Sequence, residues 1–88
     1  MKILGKEVEP ILKNATDRRW VVGAGIFVAS VEEATSKGHC KWDLSLSGGL
    51  MMIDFGVVWS SDPEEAVKEI NQAAKRILDE HDVIRGLS

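Results

Sequence analysis

The side chains able to do chemistry are few, and the most suggestive pair is Asp43 and Asp54. Cys40, Trp42, Leu44 and Leu46 alternate with Lys41, Asp43 and Ser45; after Gly48-Gly49, Met51, Ile53, Phe55, Val57 and Trp59 alternate in the same way. A two-residue Gly-Gly turn pairs Ser47 with Leu50, which sets Leu46 against Met51, Leu44 against Ile53, Trp42 against Phe55 and Cys40 against Val57. That register opposes Asp43 directly to Asp54, on the face away from Trp42. Two carboxylates so placed repel unless a cation relieves them, and their chemistry would be acid–base work or the holding of a divalent ion. Lys41, a diagonal neighbour, can relieve them without such a role. No third ligand or base can be placed, so a solvated polar face or the rim of a partner-binding surface is the favoured reading.

Other motifs fall short of a site. Val21-Val22-Gly23-Ala24-Gly25-Ile26-Phe27 resembles the opening of a dinucleotide-binding unit, but Val28 stands where the third glycine belongs. Too little chain follows for the crossover and its ribose-binding acid. These glycines are read as strand glycines that make room for a large neighbour such as Trp42 or Trp59, or mark a bulge. His39 and Cys40 alternate faces in a strand, and His81 closes a helix. One cysteine and two distant histidines lack the spacing of a zinc site, and Cys40 is read as a core residue. No catalytic residue, metal ligand or cofactor is assigned.

Trp20, Trp42 and Trp59 stand in a chain without tyrosine. Aromatic rings on a sheet can stack nucleic-acid bases, but such surfaces are flanked by cations. Here the net charge is −3 and no Lys/Arg run exceeds Arg18-Arg19, so no nucleic-acid partner is expected. Trp42 is assigned to core packing; Trp20 and Trp59 are assigned as interface anchors.

The elements that must position these residues follow from periodicity. Leu4, Val8, Ile11 and Leu12 have helical spacing, which predicts a short helix over residues 6–15. Arg18–Ser30 reads as one long strand with Trp20, Val22, Ala24, Ile26 and Val28 on one face and Val21, Gly23, Gly25, Phe27 and Ala29 on the other. Val31–Gly38 reads as a loop, and Phe27 is placed beside Trp42. Asp62-Pro63-Glu64-Glu65 is a helix start, with Asp62 as N-cap and Pro63 in the first position. Val67, Ile70, Ala74, Ile77 and Leu78 form its apolar stripe, bordered by Ala66 and Ala73. The tail His81–Ser88 frays or folds back through Val83, Ile84 and Leu87. The expected fold is one α+β domain, residues 1–88: a three-stranded antiparallel β-meander, a C-terminal amphipathic helix packed on one face, and a short N-terminal helix. That order resembles double-stranded-RNA-binding domains, but Asp62-Pro63-Glu64-Glu65 stands where that family places phosphate-reaching lysines, and the family is set aside.

Eighty-eight residues sustain one small core and leave little room for a deep cleft. Hydrophobic content of 44% and charged content of 28% are those of a folded domain. Met1–Glu7 breaks its apolar run after two residues and Trp20–Ala29 is too short to span a bilayer, so neither a secretory signal nor a membrane span is expected. One cysteine fits a cytoplasmic location.

The long first strand, apolar on both faces and at a sheet edge, is the best pointer to function. It points to a non-enzymatic protein-binding module, a homodimer acting as a small regulator or inhibitor of a larger protein. The interface is assigned to Trp20, Val22, Ala24, Ile26, Val28 and Trp59. Glu32, Glu33, Asp43, Asp54, Glu64 and Glu65 offer an acidic surface to a basic partner. The alternative is a small enzyme or ligand-binding or metal-binding oligomer with a site between subunits built from Asp43, Asp54 and His39.

Overall fold

The computed structural model describes residues 1–14, 17–34, 37–48 and 52–80. In chain order the elements are β1 (Lys2–Ile3), β2 (Lys6–Glu7), β3 (Ile11–Leu12), β4 (Arg18–Ala24), β5 (Phe27–Ala34), β6 (His39–Leu46), β7 (Met52–Val58) and α1 (Pro63–Glu80). The class is α+β with antiparallel sheets and a C-terminal helix, as expected. The main sheet, however, has five strands in the order β3-β4-β5-β6-β7, and β1 with β2 makes a separate two-stranded sheet.

The helix predicted over residues 6–15 does not form in the described part of that span, 6–14, where β2 and β3 lie instead. Leu4 and Gly5 have φ of +52° and +80°, the paired left-handed conformation of a type I′ hairpin turn. The turn sets Ile3 opposite Lys6 and Lys2 opposite Glu7. Pro10 lacks the amide a helix would need at that point, so extended pairing wins. Ile3 and Val8 are buried and join the main core.

Arg18–Ser30 is two strands, not one. Gly25 has φ of +59° and, with Ile26, turns the chain between the paired residues Ala24 and Phe27, the glycine-first arrangement of a type II′ hairpin. β5 therefore begins at Phe27, takes in the first half of the expected loop, and lies at the centre of the sheet. Phe27 pairs with Leu46; Trp42 lies opposite Val31 instead. Gly23 has open space where a side chain would go, so it was not reserved for a large neighbour.

The close approach occurs at Gly56. Ser45 pairs with Met52, in the register expected from the turn, but Leu44 pairs with Asp54, leaving Ile53 as an extra residue in a bulge. Beyond it Trp42 lies opposite Gly56 and Cys40 opposite Val58, a slip of one residue. A slip of one turns every following side chain to the other face. The reason is steric: a Cβ on Gly56 would lie 2.6 Å from Nε1 of Trp42, so the position opposite that indole admits no side chain. Phe55, predicted to stack on Trp42, is displaced to the far face. Gly49, Leu50, Met51 and the tail His81–Ser88 lie outside the described residues.

α1 starts as its sequence dictates. Asp62 Oδ1 accepts the Glu64 amide at 3.0 Å, and Ser60 Oγ accepts the Asp62 amide at 3.1 Å. Ala66, Val67, Ile70, Ala73 and Ala74 are buried, and Ile77 and Leu78 are half-buried against the core. They pack over Trp20, Phe27, Ala29, Val31, Cys40, Trp42 and Leu44. The alanines present little side chain between the helix backbone and the sheet beneath it. Burial of Val67 and Ile70 alone contributes about 1.5–3 kcal/mol each. The Trp42 Nε1–H donates to Glu69 Oε1 at 3.2 Å, which satisfies the one polar atom of that ring.

Candidate functional site

One face of the main sheet carries α1; among the described residues nothing covers the other. Alternation from the buried residues assigns the open face strand by strand. It comprises Ile11 on β3, Arg19 and Val21 on β4, Ser30 and Glu32 on β5, His39, Lys41 and Asp43 on β6, and Met52, Phe55 and Val57 on β7, with Trp59 just beyond. The charges lie towards the middle and the β4 side. The β7 side is apolar: Phe55 is 72% exposed, Trp59 80% and Met52 52%.

The carboxylate pair read from the sequence does not exist. Asp43 pairs with Phe55 on the open face, whereas Asp54 pairs with the buried Leu44 and lies on the helix side. There Asp54 Oδ2 accepts from Arg76 of α1 at 2.7 Å, and its Oδ1 accepts the Phe55 amide at 2.9 Å. The bulge is the cause, because it moved Asp54 to the opposite face. His39 is buried on the open-face side, its ring edge-on to Trp59 with centroids 5.3 Å apart. Its Nδ1 has no hydrogen-bond partner among the described residues. Asp43, Asp54 and His39 thus form no common site.

Part of the open-face charge is matched within the chain. Lys13 reaches Glu32 at 2.6 Å, and this bond is the chief reason the Glu32 carboxyl titrates below its ordinary range. Arg19 Nε donates to Ser30 Oγ at 3.3 Å. Asp43 is pushed above its ordinary range, first by burial and then by Glu32, against the pull of Arg19. Because its carboxyl holds a proton more firmly when folded than when unfolded, ionising it opposes folding as pH rises through that window. Asp43→Asn is therefore expected to raise stability at neutral pH, with the gain shrinking as pH falls below the carboxylate range. Urea unfolding of both proteins at pH 7 and pH 3 measures this; an equal difference at both values would refute it.

The six residues assigned to an interface divide on the structure. Trp20 is 3% exposed and belongs to the core, with Arg18 stacked at 4.9 Å from its ring centroid. Val22 is half-buried against the same core. Ala24 and Ile26 line a groove of about 690 Å³ between the β1–β2 hairpin and the last turns of α1, rimmed by Lys6, Lys75 and Asp79. Val28 is half-buried on the open face, and Trp59 stands out in solvent. Nor do the six acidic residues make one surface. Glu33 is buried in an ion pair with Arg18 at 2.7 Å, Asp54 meets Arg76, and Glu64 and Glu65 sit on the first turn of α1.

Sequence reasoning missed β7 as the exposed apolar edge, with Phe55 and Val57 on its open side. The available signal was Gly56 itself, the only residue of the strand able to face Trp42 once the ladder is aligned. Among the described residues no group of three His, Cys, Asp or Glu is placed to hold a metal ion, and no helix is long and apolar enough to cross a membrane. No protein-family model, curated protein or solved structure matches this chain.

Proposed function

We propose that this protein is a non-enzymatic protein-binding module that works as a homodimer and serves as a small regulator or inhibitor of a larger protein. The observation that carries the reading is the strip Met52, Phe55, Val57 and Trp59, exposed side by side along an edge strand of a sheet face that no described element covers. Single exposed apolar residues are ordinary, whereas a contiguous row on an edge marks association. The partner surface is accordingly β7 and its neighbours, with Trp59 the residue retained from the sequence assignment. The enzyme alternative has less support, since its carboxylates lie on opposite faces. A cytoplasmic location goes with a lone cysteine that is buried and free.

Light scattering from micromolar to millimolar concentration tests the dimer. The mass is expected to rise towards twice 9.7 kDa. A mass that stays at 9.7 kDa throughout the range removes the homodimer.

A further inference from the structure

We infer that the partner on β7 is a second copy of this chain, joined edge to edge by antiparallel pairing of the two β7 strands about a two-fold axis near Gly56. This rests on the homodimer reading and adds the geometry and the register.

The two edges of the main sheet differ in kind. At the β3 edge, β3 pairs only Arg18 and Arg19 of β4. Lys6 Nζ reaches over to the Gly23 carbonyl at 2.9 Å, so a long side chain blunts the remainder. Short strands and lysines are the means by which sheets avoid pairing with other chains. At the other edge β7 runs for seven residues with no lysine, arginine or proline, and among the described residues no strand pairs with its outer side. Its one charge, Asp54, is turned to the helix side and held by Arg76. One guarded edge and one bare edge give a closed pair, because a head-to-tail filament would have to use both.

Charge decides between pairing by the edge and stacking by the face. Two open faces laid together would enclose Lys13, Arg19, Glu32, Lys41 and Asp43, and burying ions without new partners is strongly unfavourable. The β7 strip brings no ion to the open side of the contact. The bulge at Ile53 then selects the register, since only the chain beyond it continues straight. Pairing centred on Gly56 sets Phe55 against Val57 of the second copy, and Asp54 against Val58, so no like charges meet. Residues of the same parity pair, so each strand keeps its faces. The two five-stranded sheets become one of ten strands, with both helices on one side and a continuous open face on the other.

Substitutions and isotope-filtered NMR test this together. Val57→Lys places a charge on the edge at a residue 42% exposed, where the fold tolerates it. It enters the symmetric contact twice and is expected to raise the dimer dissociation constant by at least about a hundredfold. Val21→Lys, at a position also 42% exposed but on β4, is expected to leave the mass unchanged. If Val57→Lys unfolds, Phe55→Lys, at 72% exposure, takes its place. In a mixture of labelled and unlabelled protein, intermolecular NOEs are expected between the Phe55 ring of one copy and the Val57 methyls of the other. A folded Val57→Lys dimer of undiminished affinity, or intermolecular NOEs through Ile11, Leu12 or Val21, overturns the edge geometry while leaving the homodimer standing. A monomer at every concentration removes both.

Discussion

Alanine at Trp42 is expected to lower the unfolding free energy by about 4 kcal/mol, while alanine at Trp59 shifts it by less than about 0.5 kcal/mol in the monomer. The two indoles differ in surroundings, not in composition. Trp42 is 6% exposed, lies between α1 and the β7 backbone, and has its N–H bonded to Glu69. Removing it leaves a large cavity and strands a carboxylate that had been matched to the ring. Trp59 is 80% exposed, so its removal opens no cavity. Denaturant unfolding of both variants, at concentrations where wild type and variants are monomeric, measures the contrast. Equal losses would mean that the two rings share one environment and that the β6–β7 register given above is wrong.

The second large effect is at Gly56, a position that looks innocuous in the sequence. Valine there would place its Cβ 2.6 Å from Trp42 Nε1 and 2.7 Å from Cε2, both atoms of a rigid ring pinned by α1. Neither partner can yield without disturbing the helix contact, so Gly56→Val is expected to cost about 3 kcal/mol. For a chain of this length that corresponds to a fall in Tm of roughly 12–24 °C. Trp42→Phe in the same chain should recover part of the loss, because the smaller ring vacates some of the contested space. Full additivity of the two substitutions would show that the clash is not the cause.

Much of α1 was legible because its signals are local. Asp62 and Pro63 define its start, and a stripe of period 3.6 defines its buried side. The strands β6 and β7 were legible as elements for the same reason, since alternation and a glycine turn are short-range features. What alternation does not contain is the count of residues between turn and partner. Ile53 supplies one extra, and that single insertion reversed the facing of Phe55, Val57 and Trp59 and separated Asp43 from Asp54. The sheet's breadth was missed for a related reason. Gly25 lies within an unbroken apolar run, where a strand glycine and a turn glycine look alike until a partner strand demands the reversal. At the amino end Leu4 adopts a left-handed conformation that its type rarely takes, so no residue preference announced the β1–β2 turn. The candidate site inherits these errors, because its location depends on parity rather than on residue type.

The lodging of Trp42 against Gly56 has a consequence for recognition. The inner side of β7 is clamped by an aromatic plate and by the Asp54–Arg76 tie, so the strand's backbone freedom is already spent within its own subunit. A chain pairing along that edge would meet a template already in shape, and the entropy of ordering that segment would not weigh on the encounter.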